Sequence, residues 1–298
     1  MIKLEESKVN QSVIFLKCIE GVEDLSQKTL LSTLTKNVQA LSDNYQIKAT
    51  NSELYQFQKN EIINGLNIKV HFNSLYKEQM SVESGSARNF YNYIKSRANL
   101  CANCYHQKPT TLDHYLPKAK YPLFSVTPAN LIPCCRDCNT HKGQYETSKY
   151  EEQLIHVYFD NDRFFNEIWL KADINIGEDN VPFVTYDVEA PSTWADSDKK
   201  RILEHFKRFK LNELYSAQAN TELFSNQNVF KEYINSEDGL KLNLERIAKS
   251  LSSITPNTWR ASLFRSLAKS SWFCDTGVHN IKSQIVSTTQ YPDIILDA

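Results

Sequence analysis

A chain of 298 residues, 41% of them hydrophobic, is long enough to bury a sizeable core and suggests two or three domains. Its 34 Lys and Arg against 35 Asp and Glu exclude a protein that holds nucleic acid by overall basicity, although local basic stretches remain. No apolar run is long enough to span a bilayer, and Met1 to Lys8 lacks the basic-then-apolar order of a secretory signal, so a cytoplasmic protein without a membrane partner is expected.

Residues 1–97 read as an N-terminal helical region. Leu30, Leu34, Val38 and Leu41 recur at helical spacing, and Phe90, Ile94 and Ala98 form a second stripe that leads into Cys101. Between them the alternation Ile68, Val70, Phe72 predicts a short strand.

The next segment, 98–150, carries the chemistry. Cys101-Ala-Asn-Cys104 and Cys135-Arg-Asp-Cys138 are two C-x2-C pairs about thirty residues apart, and in a reducing compartment such pairs point to a metal and not to disulfides. Four thiolates form a closed set for a structural Zn2+. Cys134 adjoins the second pair but has the wrong spacing to Cys138, so it is assigned to packing or a reserve role; Cys18 and Cys274 read as buried thiols. Between the pairs lie Leu112-Asp113-His114-Tyr115-Leu116-Pro117 and Asn130-Leu131, and Asn139, His141, Lys142 and Gly143 follow the last cysteine. From Arg97 to Lys149 seven basic residues face three acidic ones.

Residues 151–190 read as a small strand-containing extension: Ile168, Leu170, Ala172, Ile174 and Ile176 alternate, and Val184, Tyr186 and Val188 supply a partner after the turn at Gly177 to Asn180. A turn-rich junction, Pro191 to Asp198, opens a C-terminal helical domain, 191–298, in which Ile202, Phe206 and Phe209, then Leu240, Leu244, Ile247 and Leu251, then Trp259, Leu263 and Leu267 recur at helical spacing. Lys199, Lys200, Arg201, Lys207, Arg208 and Lys210 make a basic stretch there, read either as an extension of a nucleic-acid footprint through Lys207, Arg208 and Lys210 or as a solvated helix face. The Ser/Thr/Gln stretch near 283–290 reads as a loosely held tail.

The central pattern, C-x2-C, D-H-x2-P, N-L and C-x2-C-N-x2-K-G, resembles the HNH, or ββα-metal, endonucleases, in particular their zinc-stabilised four-cysteine branch, which includes bacterial anti-phage defence nucleases. The resemblance covers about 101–143. It implies an α+β, mainly helical fold with a central treble-clef-like module: two antiparallel strands carrying Asp113-His114 and Asn130, then a helix from near Cys135 carrying Asn139. Family roles make His114 the general base, Asp113 and Asn139 the ligands of a catalytic Mg2+ or Mn2+, and Asn130 the residue that fixes the loop or orients His114. Where some members carry a second histidine this chain has Gly143. Arg136, His141 and Lys142 become candidate DNA contacts.

The residue types agree with that chemistry. Phosphodiester hydrolysis uses a base whose ordinary pKa lies near neutrality and a hard cation held by oxygen donors, and Asp and Asn oxygens suit Mg2+ better than they suit zinc. The leading expectation is an endonuclease acting on double-stranded DNA. The alternatives are a zinc-containing nucleic-acid-binding module without cleavage and a partner-docking protein, with a separate ATPase or sensor and a homo-oligomer as partners the resemblance brings into view.

Overall fold

The computed structural model describes residues 1–59, 62–63, 66–253 and 255–282; the tail expected at 283–290 lies outside them. The chain divides into two units, one built from Met1–Leu170, Val188–Asn212 and Ser252–Thr258, the other from Lys171–Asp187, Glu213–Leu251 and the described residues from Trp259 onward.

The larger unit begins with helices α1 (Gln11–Glu20), α2 (Leu25–Thr33) and α3 (Thr35–Thr50). The Asn10 side chain accepts from the Ser12 amide at 2.8 Å, satisfying one of the free N–H groups that start α1. Ile14, Phe15, Cys18 and Ile19 then face inward at helical spacing. The stripe predicted through Leu30 and Leu41 is interrupted, because Leu34 closes α2 and opens α3; Leu31, Leu34 and Val38 are buried and Leu30 is exposed.

A two-residue hairpin, β1 (Ile62–Ile63) with β2 (Leu66–Asn67), precedes α4 (Lys69–Ser74). The strand expected at Ile68 to Phe72 is therefore corrected to helix. Ile68 and Phe72 are buried as expected for either element, since residues four apart share a face in both, but Val70 is 73% exposed. The helix widens into a π turn at Leu75–Met80, then α5 (Arg88–Ser96) buries Tyr91 and Ile94 and delivers the chain to Cys101.

Strands β3 (Thr111–His114) and β4 (Leu131–Cys134) pair antiparallel, with Asp113 opposite Ile132 and His114 opposite Leu131, and α6 (Arg136–Lys142) follows at once. Leu112 and Leu131 join Ile14, Phe72, Leu75 and Ile94 in one apolar cluster, so the strand pair is seated on the helical core. The short α7 (Arg163–Asn166) and α8 (Asp196–Arg208) complete this unit. Ile202 and Phe206 on α8 and Phe209 at its C-terminal cap are buried as their spacing predicted, but Arg201 is buried with them. Its guanidinium donates to both oxygens of Asp160 at 2.9 and 2.6 Å and to the carbonyls of Gln153 and Leu154. This removes Arg201 from the basic face the sequence assigned to it.

In the smaller unit β5 (Leu170–Ile176) pairs with β6 (Pro182–Val188) across a turn in which Asp179 and Asn180 hold positive φ, a region these side chains tolerate. Val184 and Tyr186 are buried, and the Tyr186 hydroxyl donates to the Trp259 carbonyl at 2.9 Å. Helices α9 (Leu211–Ser225), α10 (Gln227–Ile234), α11 (Gly239–Ser252), α12 (Trp259–Lys269) and α13 (Ser271–Asp275) complete the described chain. Leu240, Leu244, Trp259, Leu263 and Leu267 are buried at the predicted spacing, and Phe230 packs edge-on against Phe264 and Phe273.

Candidate metal centre and adjoining polar site

Cys101 and Cys104 lie in a knuckle closed by the Tyr105 amide, which donates to the Cys101 carbonyl at 2.8 Å; Tyr105 takes a positive φ of 46° to make the bend. Cys135 caps the start of α6, its sulfur accepting from the Cys138 amide at 3.4 Å. The four sulfurs are buried and lie within 4.8 Å of one another. A tetrahedral zinc with bonds of about 2.3 Å sets its sulfurs about 3.8 Å apart. Cys104 and Cys135 stand at 4.0 Å, so this donor set fits such an ion. The Cys104 thiol, joined by those of Cys134, Cys135 and Cys138, holds Cys101 well below the usual thiol range. The Cys134 sulfur is also 4.0 Å from that of Cys101 and accepts from the Asn103 amide at 3.4 Å, which places it at the edge of the set and not in a remote core.

The strand alternation separates the two neighbours at the end of β3. His114 follows Leu112 on one face, and Asp113 points to the other, toward α6. The His114 ring is 7% exposed, and its Nε2 lies 2.8 Å from the Ser125 carbonyl. A carbonyl only accepts, so the neutral ring carries its proton on Nε2 and leaves the Nδ1 lone pair available. Burial first, and then the Lys118 charge, bring its pKa down to about 3, so the imidazole is neutral at pH 7.

Asp113 is buried beside Lys142, whose ammonium lies 3.3 and 3.2 Å from the two carboxylate oxygens and donates to the His114 carbonyl at 2.5 Å. Burial raises the Asp113 pKa although Lys142 opposes the rise. The ammonium of Lys142 thus faces Asp113 and not solvent. Asn139, one turn earlier on the same side of α6, is half-buried, and its side-chain amide makes no hydrogen bond with any described residue. Arg136 and His141 are exposed on α6. Gly143, at φ 52° and ψ −126°, occupies a backbone region that side chains resist, a physical reason why no histidine stands there.

Asn130 is fully buried in the connection between the strands. Its Oδ1 accepts from the Leu116 amide at 2.7 Å and the Tyr45 hydroxyl at 3.0 Å, while its Nδ2 donates to the carbonyls of Leu116 and Phe124 at 3.0 Å each. On α8, Lys207 is exposed, as is Lys210 just beyond it; Arg208 lies 3.9 Å over the Tyr145 ring and pairs with Glu204 at 2.8 Å. Sequence reasoning missed Ser125, which contributes only a carbonyl, and Tyr76, whose ring meets that of His114 edge-on at 4.4 Å from far upstream in the chain. Neither leaves a local signal.

Fold and site together define a mainly helical protein with a buried four-cysteine metal-binding centre next to an antiparallel strand pair. The chain is 30% identical over 294 residues to Protein ea31 of Escherichia phage lambda, an alignment covering 92% of this chain and 99% of that protein. It belongs to the ea31 family. No protein-family model matches it, and no solved structure does. No helix among the described residues is long and apolar enough to cross a membrane.

Proposed function

We propose that this protein is a metal-dependent endonuclease of the HNH, ββα-metal type, hydrolysing phosphodiester bonds in double-stranded DNA. The observation that carries the proposal is a buried, neutral His114 with Nε2 committed to a carbonyl and Nδ1 left unprotonated, next to Asp113 and followed on α6 by an Asn139 amide with no described partner. A divalent ion held by Asp113 and Asn139 would supply charge stabilisation at the phosphate and the leaving oxygen. His114 Nδ1 removes a proton from water as the water oxygen bonds to phosphorus; the bond from phosphorus to the 3′ oxygen breaks, and that oxygen takes a proton from a solvent water. The products are 5′-phosphate and 3′-hydroxyl ends. Asn130 holds the Phe124 carbonyl, one residue before the Ser125 carbonyl that receives His114, and so keeps the base in place. The four cysteines serve the scaffold through a structural zinc.

The Lys142 ammonium beside Asp113 favours a second reading, a zinc-containing nucleic-acid-binding module without cleavage, because an ion-paired carboxylate needs no metal. His114→Ala separates the two. Plasmid cleavage in Mg2+ or Mn2+ should fall by about 10²–10⁴-fold with zinc content and thermal unfolding unchanged. Equal rates for wild type and variant would remove His114 from the reaction and leave the binding module standing.

A further inference from the structure

Lys118 lies over the Tyr76 ring that meets His114, and Lys77 follows Tyr76 in the chain. Lys118 directly follows Pro117, is half-buried, and sets its ammonium 5.0 Å over the Tyr76 ring centroid. Tyr76 and Lys77 both belong to the π turn at Leu75–Met80, which buries Tyr76 and exposes Lys77 beside it. Turns of this kind are uncommon and recur at functional sites because the inserted residue redirects its neighbours. The Tyr76 hydroxyl reaches the Leu112 carbonyl at 3.4 Å, tying the turn to the strand that carries Asp113 and His114.

Neither lysine has a carboxylate partner among the described residues. Elsewhere in the chain Lys59 and Lys120 share Glu146 at 2.6 and 3.0 Å, and the acid that acts on Lys118, Asp113, is already paired with Lys142. Among the described residues the ammonium groups of Lys77 and Lys118 form no ion pair or hydrogen bond. Burial holds the Lys118 ammonium below the usual lysine range, Asp113 opposes the shift, and the Lys77 charge adds to it. The Lys77 charge adds to the cost of holding the partly desolvated Lys118 ammonium, and a bound anion would reverse that cost.

We propose that Lys77 and Lys118, together with the π turn that presents Lys77, form a binding site for a backbone phosphate of duplex DNA at the edge of the His114 site. Such an interaction positions the strand without reading its sequence. Its place beside the strand to be cut rests on the endonuclease reading, the phosphate contact itself does not, and it extends the DNA footprint to the N-terminal helical region.

The test is the salt dependence of binding to a labelled DNA duplex, measured by fluorescence anisotropy without added divalent ion so that no cleavage contributes. Lys77→Gln with Lys118→Gln should flatten the plot of log affinity against log salt by about 0.9, the value for one phosphate no longer neutralised, whereas the two Arg replacements should retain the slope. Zinc content and unfolding midpoint serve as folding controls. An unchanged slope in the Gln variant, or no duplex binding by intact wild-type protein, overturns the site. If the slope shifts but wild-type protein never cuts DNA, the phosphate site stands and the endonuclease reading falls; His114→Ala should keep the wild-type slope in either case.

Discussion

At the scale of single residues, the sulfur positions distinguish Cys135 from its neighbour Cys134. Cys135 both caps α6 and faces the other three sulfurs, whereas Cys134 meets Cys101 and Asn103 from the edge. Purified protein should contain one zinc per chain by elemental analysis. Cys135→Ser should lose that zinc and much of its folded fraction, because metal affinity and folding are one free energy in a small thiolate site. Cys134→Ala should keep the metal. If instead the Cys134 variant loses zinc while the Cys135 variant keeps it, the ligand set must be reassigned.

At the scale of elements, β3 and β4 are only four residues each, too short to hold their register by pairing alone. The connection between them supplies the rest: Asn130 bonds four buried backbone and hydroxyl groups, among them the Leu116 amide and carbonyl that burial would otherwise strand without water. Asn130→Ala leaves the Leu116 amide and carbonyl unsatisfied, while the Phe124 carbonyl keeps the Thr127 amide, and a loss of about 3 kcal/mol is expected from urea unfolding. Asn130→Asp restores the acceptor but not the donor, and should recover part of that loss. An alanine variant as stable as wild type would show that water reaches this loop.

At the scale of the molecule, the larger unit is held by buried polar groups as well as by its apolar core. His156 is enclosed by the rings of Tyr45, Tyr115, Tyr158 and Phe159, with Nε2 3.2 Å from the Tyr45 hydroxyl. Burial lowers its pKa to about 3, and His205, also buried, falls to about 4. Between about pH 6.5 and 3 the unfolded chain therefore binds a proton at His156 that the folded chain refuses, so this stability is present above about pH 6.5 and is lost as pH falls. At about pH 5 the share from His156 is about 2 kcal/mol. His156→Gln, which keeps a donor and an acceptor but cannot titrate, should show a smaller drop in urea midpoint between about pH 7 and about pH 5. An identical drop would place the acid sensitivity elsewhere.

Features whose physical requirement is local could be read from the chain alone. Two C-x2-C pairs announce four thiols able to share an ion because a two-residue turn aims both sulfurs inward, and the helical stripes at Ile202 to Phe209 and Trp259 to Leu267 announce buried faces because helical periodicity has few other causes. Three alternating residues at Ile68 to Phe72 did not suffice, since positions four apart coincide in strand and helix and only tertiary packing decided that Val70 faces outward. The same holds for charge: nothing local separates Arg201 from Lys200, yet packing of α8 against the 153–160 segment buries one on Asp160 and leaves the other exposed. The surroundings of His114 were likewise decided in three dimensions, by the Ser125 carbonyl and the Tyr76 ring, because a backbone acceptor and a distant aromatic reach it only when the core brings their segments together.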